Sequence, residues 1–281
     1  MLIDGHQHYW QIGHNGHNGH NGHGWPTPDL VSIYRDFGAT DWDAVANPLG
    51  IAGSVAVQSQ PCAADTVWLL ELARRTPSIK AVVGWADLKA DGAVQTVRQL
   101  ARTPELKGLR PMLQNLADDD WIIDSTLDPA IDAMIESDLR FDALVYTRHL
   151  PHLRRFARRW PELRIVIDHG AKPPIANGRD HIWRAEMGLL ASLPNVTCKL
   201  SGLMTEMRPD QDRAALEPYV RYLCDLFGPE RLMWGSDWPV LLLAGGYSEW
   251  HSLAERYSGF DAAGLALLFG GTAARFYGLE A

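Results

Sequence analysis

The 281-residue chain carries 26 Lys and Arg against 34 Asp and Glu, a net charge of −8, and is 46% hydrophobic. That acidity argues against a nucleic-acid surface, and no apolar run is long enough to span a bilayer. The three cysteines, Cys62, Cys198 and Cys224, form no C-x-x-C pair, and no basic leader precedes Asp4. A cytoplasmic protein with reduced thiols is therefore expected.

Leu2 and Ile3 open an apolar strand that goes on to present Asp4, His6 and His8. Strand side chains two apart share a face, so His6 and His8 are expected to converge on one ligand, with Gln7 turned away. Residues 14–24 are a three-residue His-Asn-Gly repeat carrying His14, His17, His20 and His23. So much Gly and Asn excludes a stable helix. The repeat reads as a mobile loop insertion that supplies no catalytic group, and it ends at Trp25-Pro26.

Beyond it, apolar runs alternate with amphipathic helical ones. Strands are predicted at 53–58, 81–85, 106–112, 141–146, 164–167, 196–200 and 232–234. Helices are predicted from Asp65 to the stop at Pro77, then over 94–101, 129–135, 153–160, 179–192 and 216–227, and around Trp250 and Leu265. Short, continuously apolar strands are those buried on both faces. Eight such units with no composition break predict a single (β/α)8 barrel over residues 1–281. No G-x-G-x-x-G follows the first strand, which counts against the doubly wound alternative.

In a barrel of this kind function sits just past the strand ends. There the chain places His6 and His8, Gln58, Trp85, Arg110 and Gln114, then Tyr146, Arg148 and His149. His169 and Lys172, Lys199 and Ser201, and Asp237 and Trp238 complete the series. His149, followed by Leu150-Pro151, reads as the start of a helix, and Asp168 as the cap of a turn. Ionisable residues such as His169, Lys199 and Asp237 at the ends of apolar runs are costly unless paired or used.

The motifs D-G-H-Q-H-Y-W, V-V-G-W-A-D-L, D-H-G-A-K-P, C-K-L-S-G-L with Thr205-Glu206, and G-S-D-W-P-V, with F-G-G-T-A-A-R-F-Y near the end, together resemble the amidohydrolase superfamily. Within it they resemble the branch of sugar and muconate-type lactonases. The resemblance implies that His6, His8, His169 and Asp237 are the metal-site positions, and that Asp237 is the group that activates water. It implies that Arg110, Lys172 and Lys199 are positive groups facing the substrate, an L-fucono- or related L-aldonolactone. No lysine ends strand four and no clear histidine ends strand five. At most one divalent ion is therefore expected, a zinc that is weakly held and dispensable.

Lactone opening needs an activated water and positive groups for the oxyanion. Asp237 is read as the base, with His169 and Lys199 as its catalytic partners. Trp25, Trp85 and Trp238 are read as flat faces for a sugar-like ring, and Gln58, Gln114 and Ser201 as hydrogen-bonding groups. Arg110 is expected to pair with the carboxylate of the product, and a homodimer is the expected assembly. The alternatives are a metal-dependent decarboxylase of an acidic substrate and a non-catalytic metal-binding protein. The last leaves Lys199, Asp237 and Arg110 unexplained.

Overall fold

A computed structural model describes residues 1–13 and 24–279; most of the His-Asn-Gly repeat lies outside the described residues. Eight parallel strands follow one another around a sheet in chain order. They are β1 Leu2–Gln7, β2 Ile51–Val57, β3 Ile79–Gly84, β4 Leu106–Leu109, β5 Arg140–Ala143, β6 Ile165–Ile167, β7 Val196–Leu200 and β8 Leu232–Trp234. The first and last strands meet through backbone bonds beyond β8. His8 N donates to the Trp238 carbonyl at 2.7 Å, and Asp237 N to the His6 carbonyl at 2.8 Å. The fold is thus the expected (β/α)8 barrel.

Two glycines let that seam close. A β-carbon on Gly5 would stand 2.8 Å from the Trp234 carbonyl oxygen, and one on Gly235 would stand 2.6 Å from the His6 β-carbon. No other residue fits so close an approach of two backbones.

The helices are α1 Ala39–Ala46, α2 Ala63–Arg75, α3 Ala93–Leu100, α4 Asp128–Glu136, α5 Leu150–Arg159, α6 His181–Ala191, α7 Glu217–Arg231, α8 Tyr247–Ser258, α9 Ala262–Ala266 and α10 Thr272–Tyr277. Strand alternation divides the apolar residues between two cores. Ile3, Val55, Val57, Ala81, Val83, Val166 and Met233 point into the barrel, where Ala273, Phe276 and Tyr277 of α10 join them. Ala56, Val82, Ile165, Ile167 and Leu200 point outward under the helices.

Two strands are shorter than their apolar runs. β4 stops at Leu109 and β5 at Ala143, because Pro111 lacks an amide for the ladder and Leu144 and Val145 are buried in a loop instead. Asp65 lies within α2 rather than at its cap. Its carboxylate accepts the amides of Ser59 and Gln60 at 2.8 and 3.0 Å. Among the described residues no helix is long and apolar enough to cross a membrane.

Candidate active site

Parallel strands bring every strand's C-terminal end to one face. There His6 Nε2 and His8 Nε2 lie 3.2 Å apart. Gln7 between them turns away to donate to Ser54 Oγ at 3.1 Å. Asp237 Oδ1 stands opposite, 3.2 Å from His8 Nε2, 3.7 Å from His6 Nε2 and 3.8 Å from His169 Nε2. One carboxylate oxygen therefore faces three imidazoles, and all four residues are at least 96% buried.

The backbone holding these groups is unusual. His169, Gly170, Ala171 and Lys172 run through left-handed conformations with φ of 50–59°, and Asp237 has φ 57°. Each non-glycine residue there costs about 1–2 kcal/mol, and such strain collects at functional sites. Trp183 Nε1 pins the run by donating to the Gly170 carbonyl at 2.7 Å. Gly202 makes room for the ring: a β-carbon there would stand 2.6 Å from His169 Nδ1.

Asp4 fastens the seam from below. Its carboxylate accepts Ser236 N at 2.8 Å, Ser236 Oγ at 2.6 Å, Tyr247 OH at 2.9 Å and Trp42 Nε1 at 3.3 Å. Burial nevertheless pushes its carboxyl above the ordinary range, with these bonds pulling it down. It joins β1 to the loop carrying Asp237 and to α1 and α8, a role its position before H-x-H does not reveal.

Hydrogen-bond partners orient the three imidazoles and fix the tautomer of His8. His8 Nδ1–H donates to the Val57 carbonyl at 2.8 Å, leaving the Nε2 lone pair toward the site. His169 Nδ1 pairs with Ser201 Oγ at 2.9 Å, a hydroxyl that serves either tautomer, and this turns Nε2 toward Asp237. His6 Nδ1 lies between Lys199 Nζ at 3.0 Å and Asp168 Oδ1 at 3.4 Å.

Burial lowers the proton affinity of His6 well below the ordinary 6.5, with Lys199 adding to the effect and Asp168 opposing it. Burial likewise lowers His169 to about 4, against the pull of Asp237 and Asp168. For Asp237 burial works upward, but His169, His8 and His6 override it and hold the carboxyl far below the usual range. At neutral pH the site then holds an ionised Asp237 beside the uncharged rings of His6 and His169.

A tetrahedral zinc with ligands at 2.0–2.2 Å separates them by about 3.3 Å. His6, His8 and Asp237, at 3.2, 3.2 and 3.7 Å, fit one face of such a tetrahedron. Three protein ligands with a fourth position open is the catalytic arrangement. His6, Asp168 and His169 form a second, overlapping group of donor atoms.

The folding consequence of a neutral His169 is measurable. The unfolded ring takes a proton near pH 6.5 and the folded ring only near 4, so acid favours unfolding through that window. The stability contributed by the neutral ring is complete above pH 6.5. It is lost on acidification toward pH 4, about 3 kcal/mol in all. Urea titrations should show the wild type losing more stability between pH 7 and 4 than His169→Asn; equal slopes would remove His169 as the cause.

Several expected substrate contacts are placed otherwise. Lys199 lies inside the barrel rather than at its mouth. It is fully buried, with Nζ 2.6 Å from Asp142 Oδ2, 3.0 Å from Asp168 Oδ1 and 3.0 Å from His6 Nδ1, behind the ring rather than before it. Arg110 is committed to Asp168 Oδ2 at 3.3 Å and to the Gln58 carbonyl, not left open for a product carboxylate. Asp168, read as a turn cap, is the partner of both cations. Burial raises its carboxyl, but Lys199, His6 and Arg110 outweigh this and hold it well below the ordinary range.

Trp238 is core: it is 2% exposed and packs edge-to-face on Tyr9 and Phe37, with ring centres 6.4 and 5.1 Å away. Gln58 is buried, with Nε2 donating to the Arg110 carbonyl at 2.9 Å, and Ser201 serves His169. Trp25, Trp85, Gln114 and Lys172 are half-buried at the barrel mouth. Trp25 packs on Trp10 at 5.1 Å. His149 caps the start of α5, accepting Tyr146 N and pairing with Asp119, and belongs to neither metal-ligand group.

A parallel barrel with an H-x-H on its first strand, a histidine after the sixth and an aspartate after the eighth has the form of a barrel hydrolase. The amidohydrolase family model matches residues 3–279, and the chain belongs to that family. It is 52% identical to an L-fucono-1,5-lactonase of Burkholderia ambifaria, over 99% of this chain and 96% of that one. To an L-fucono-1,5-lactonase of Burkholderia multivorans it is 37% identical, with the same two coverages. A solved amidohydrolase from Burkholderia multivorans with bound zinc superposes with a TM-score of 0.92 at 36% identity, covering both chains completely.

Proposed function

We propose that this protein is a hydrolase that opens a sugar-derived lactone, an L-fucono- or related L-aldonolactone, to the hydroxy acid. The observation that carries the proposal is the single Asp237 oxygen held within 3.8 Å of three imidazoles at the barrel mouth. The full-length relatives that are L-fucono-1,5-lactonases support the substrate class.

In this reading Asp237 takes a proton from water as the water oxygen bonds to the lactone carbonyl carbon. The His6, His8 and His169 rings surround the carboxylate, the His6 N–H serves the developing oxyanion, and a cation held among them would polarise the carbonyl. When the tetrahedral adduct collapses, the ring C–O bond breaks and the departing alkoxide takes the proton back from Asp237. The products are a carboxylate and a hydroxyl, with one proton released to solution. Trp25, Trp85, Gln114 and Lys172 serve as substrate contacts at the mouth. Residues 1–281 are taken as one domain, supported by the family match over 3–279. Free Cys62, Cys198 and Cys224 support a cytoplasmic location.

His6, His8 and Asp237 would hold a zinc, with His169 beside them, and the ion would supply Lewis-acid polarisation of the carbonyl. It would be weakly held. Ligation by His6 Nε2 requires the ring proton on Nδ1, whereas the Lys199 ammonium at 3.0 Å makes Nδ1 an acceptor. Binding of no more than one equivalent is expected, and activity surviving chelation. Loss of all activity on chelation, restored by one equivalent of zinc, would show the ion to be essential.

The test of the function itself is a pH-indicator screen of aldonolactones and muconolactones with the purified protein. One proton released per lactone opened is the expected result. Carbon dioxide evolved from a carboxylated substrate, with no lactone opened, would overturn it in favour of decarboxylation.

A further inference from the structure

The ends of β5, β6 and β7 contribute a polar wall of which the proposed hydrolysis uses only Lys172. Lys172, just past β6, has its amide bonded to the His169 carbonyl at 2.8 Å. Its ammonium reaches Glu206 Oε1 at 3.3 Å and lies 5.6 Å from the centre of the Tyr146 ring. Glu206 ends the short turn Met204–Glu206 that follows β7, and its carbonyl is held by Ala176 N at 3.0 Å. The Lys172 and Glu206 side chains are 18% and 21% exposed, so the pair borders open space rather than core. Burial raises the Glu206 carboxyl; Lys172 opposes this, and the nearby charge of Asp237 adds to it.

We propose that Glu206 and Lys172 form a clamp for neighbouring hydroxyl groups of the substrate, selecting a neutral polyhydroxylated lactone over one that bears a second carboxylate. The proposal rests on the lactonase reading above. A carboxylate accepts two hydroxyl donors at once, and an ammonium donates to a hydroxyl oxygen. The half-buried Tyr146 ring offers an apolar face to the C–H side of the same ring system. Against a second carboxylate the wall sets the anions Glu206 and Asp237. The neighbouring cations are already engaged, Lys172 with Glu206 and Arg110 with Asp168. Selectivity then comes from repulsion as well as attraction.

Glu206→Gln keeps the shape, removes the charge and frees Lys172. The measurement is kcat/KM on an L-aldonolactone divided by that on an aldaric acid monolactone, which keeps a free carboxylate. This ratio is expected to fall at least about 30-fold, with most of the change on the aldonolactone in KM. Where the monolactone turns over too slowly, its Ki as a competitive inhibitor supplies the second value. Lys172→Met is expected to weaken the aldonolactone with no gain for the monolactone. Circular dichroism checks the fold, and Glu206→Asp, which keeps the charge at shorter reach, gives an intermediate ratio if the clamp exists. An unmoved ratio, or an equal loss of kcat on both compounds, overturns the clamp alone. A wild type that opens no aldonolactone overturns the lactonase reading instead.

Discussion

Replacing Asp237 with Asn is expected to lower turnover by roughly 10²–10⁴-fold, the scale of one positioned general base. The substitution isolates basicity from shape. Asp237 occupies left-handed backbone, φ 57°, which Asn tolerates far better than most residues, so the β8 loop keeps its path. The amide can turn an N–H toward the lone pair of His8 Nε2, 3.2 Å from the carboxylate oxygen it replaces, but it cannot take a proton from water. KM should change by a few-fold at most, since the lost interaction matters while the proton moves rather than while the substrate docks. Steady-state kinetics on an aldonolactone decide the matter. A variant with near wild-type turnover would show that another group is the base.

The second large effect is one of stability. Lys199→Met leaves Asp142 and Asp168, both fully buried, facing each other across an apolar side chain. Asp142 Oδ2 then keeps only Tyr277 OH at 2.7 Å. Removing one partner from a buried charge network typically costs about 3–5 kcal/mol, a fall in melting temperature on the order of 10 °C. Turnover should fall as well, because His6 loses the group that fixes its ring from behind. Asp142→Asn in the same chain removes one stranded charge and should recover part of the stability, which a simple loss of packing would not allow. If Lys199→Met melts within about 2 °C of the wild type, the network is not what holds these carboxylates in the barrel.

The barrel was legible because strands buried on both faces appear as unbroken apolar runs, and eight of them alternate with helical periodicity. The strand ends were less so. Leu144 and Val145 remain buried after β5 has left the sheet, so hydrophobicity does not mark where pairing stops. His6, His8, His169 and Asp237 were visible as polar residues closing apolar runs. Lys199 was visible too, but its direction was not. It is the fourth of five residues in β7 and therefore points into the barrel instead of out of its mouth. Its partner Asp142 lies 57 positions away and Tyr277 belongs to α10, distances that no local spacing encodes. The available signal was Asp142 itself, a carboxylate inside the apolar run Phe141-Asp142-Ala143-Leu144-Val145. Trp238 misled for the opposite reason: a tryptophan beside a site looks like a platform, whereas Tyr9 and Phe37 enclose it.

The seam between β1 and β8 ties function to the last act of assembly. His8 and Asp237 are 229 positions apart, and each is aligned by a backbone bond from the other's neighbourhood, His8 N to Trp238 and Asp237 N to His6. A chain still emerging from the ribosome holds its imidazoles long before it holds their carboxylate. With Asp237 as the base, a fragment ending before β8 is expected to be inert however well its helices form. The return of activity after denaturation therefore times the closing of the ring itself. A protein cut in a surface loop far from this seam is expected to yield two silent halves that become an enzyme only by zipping their outer edges together.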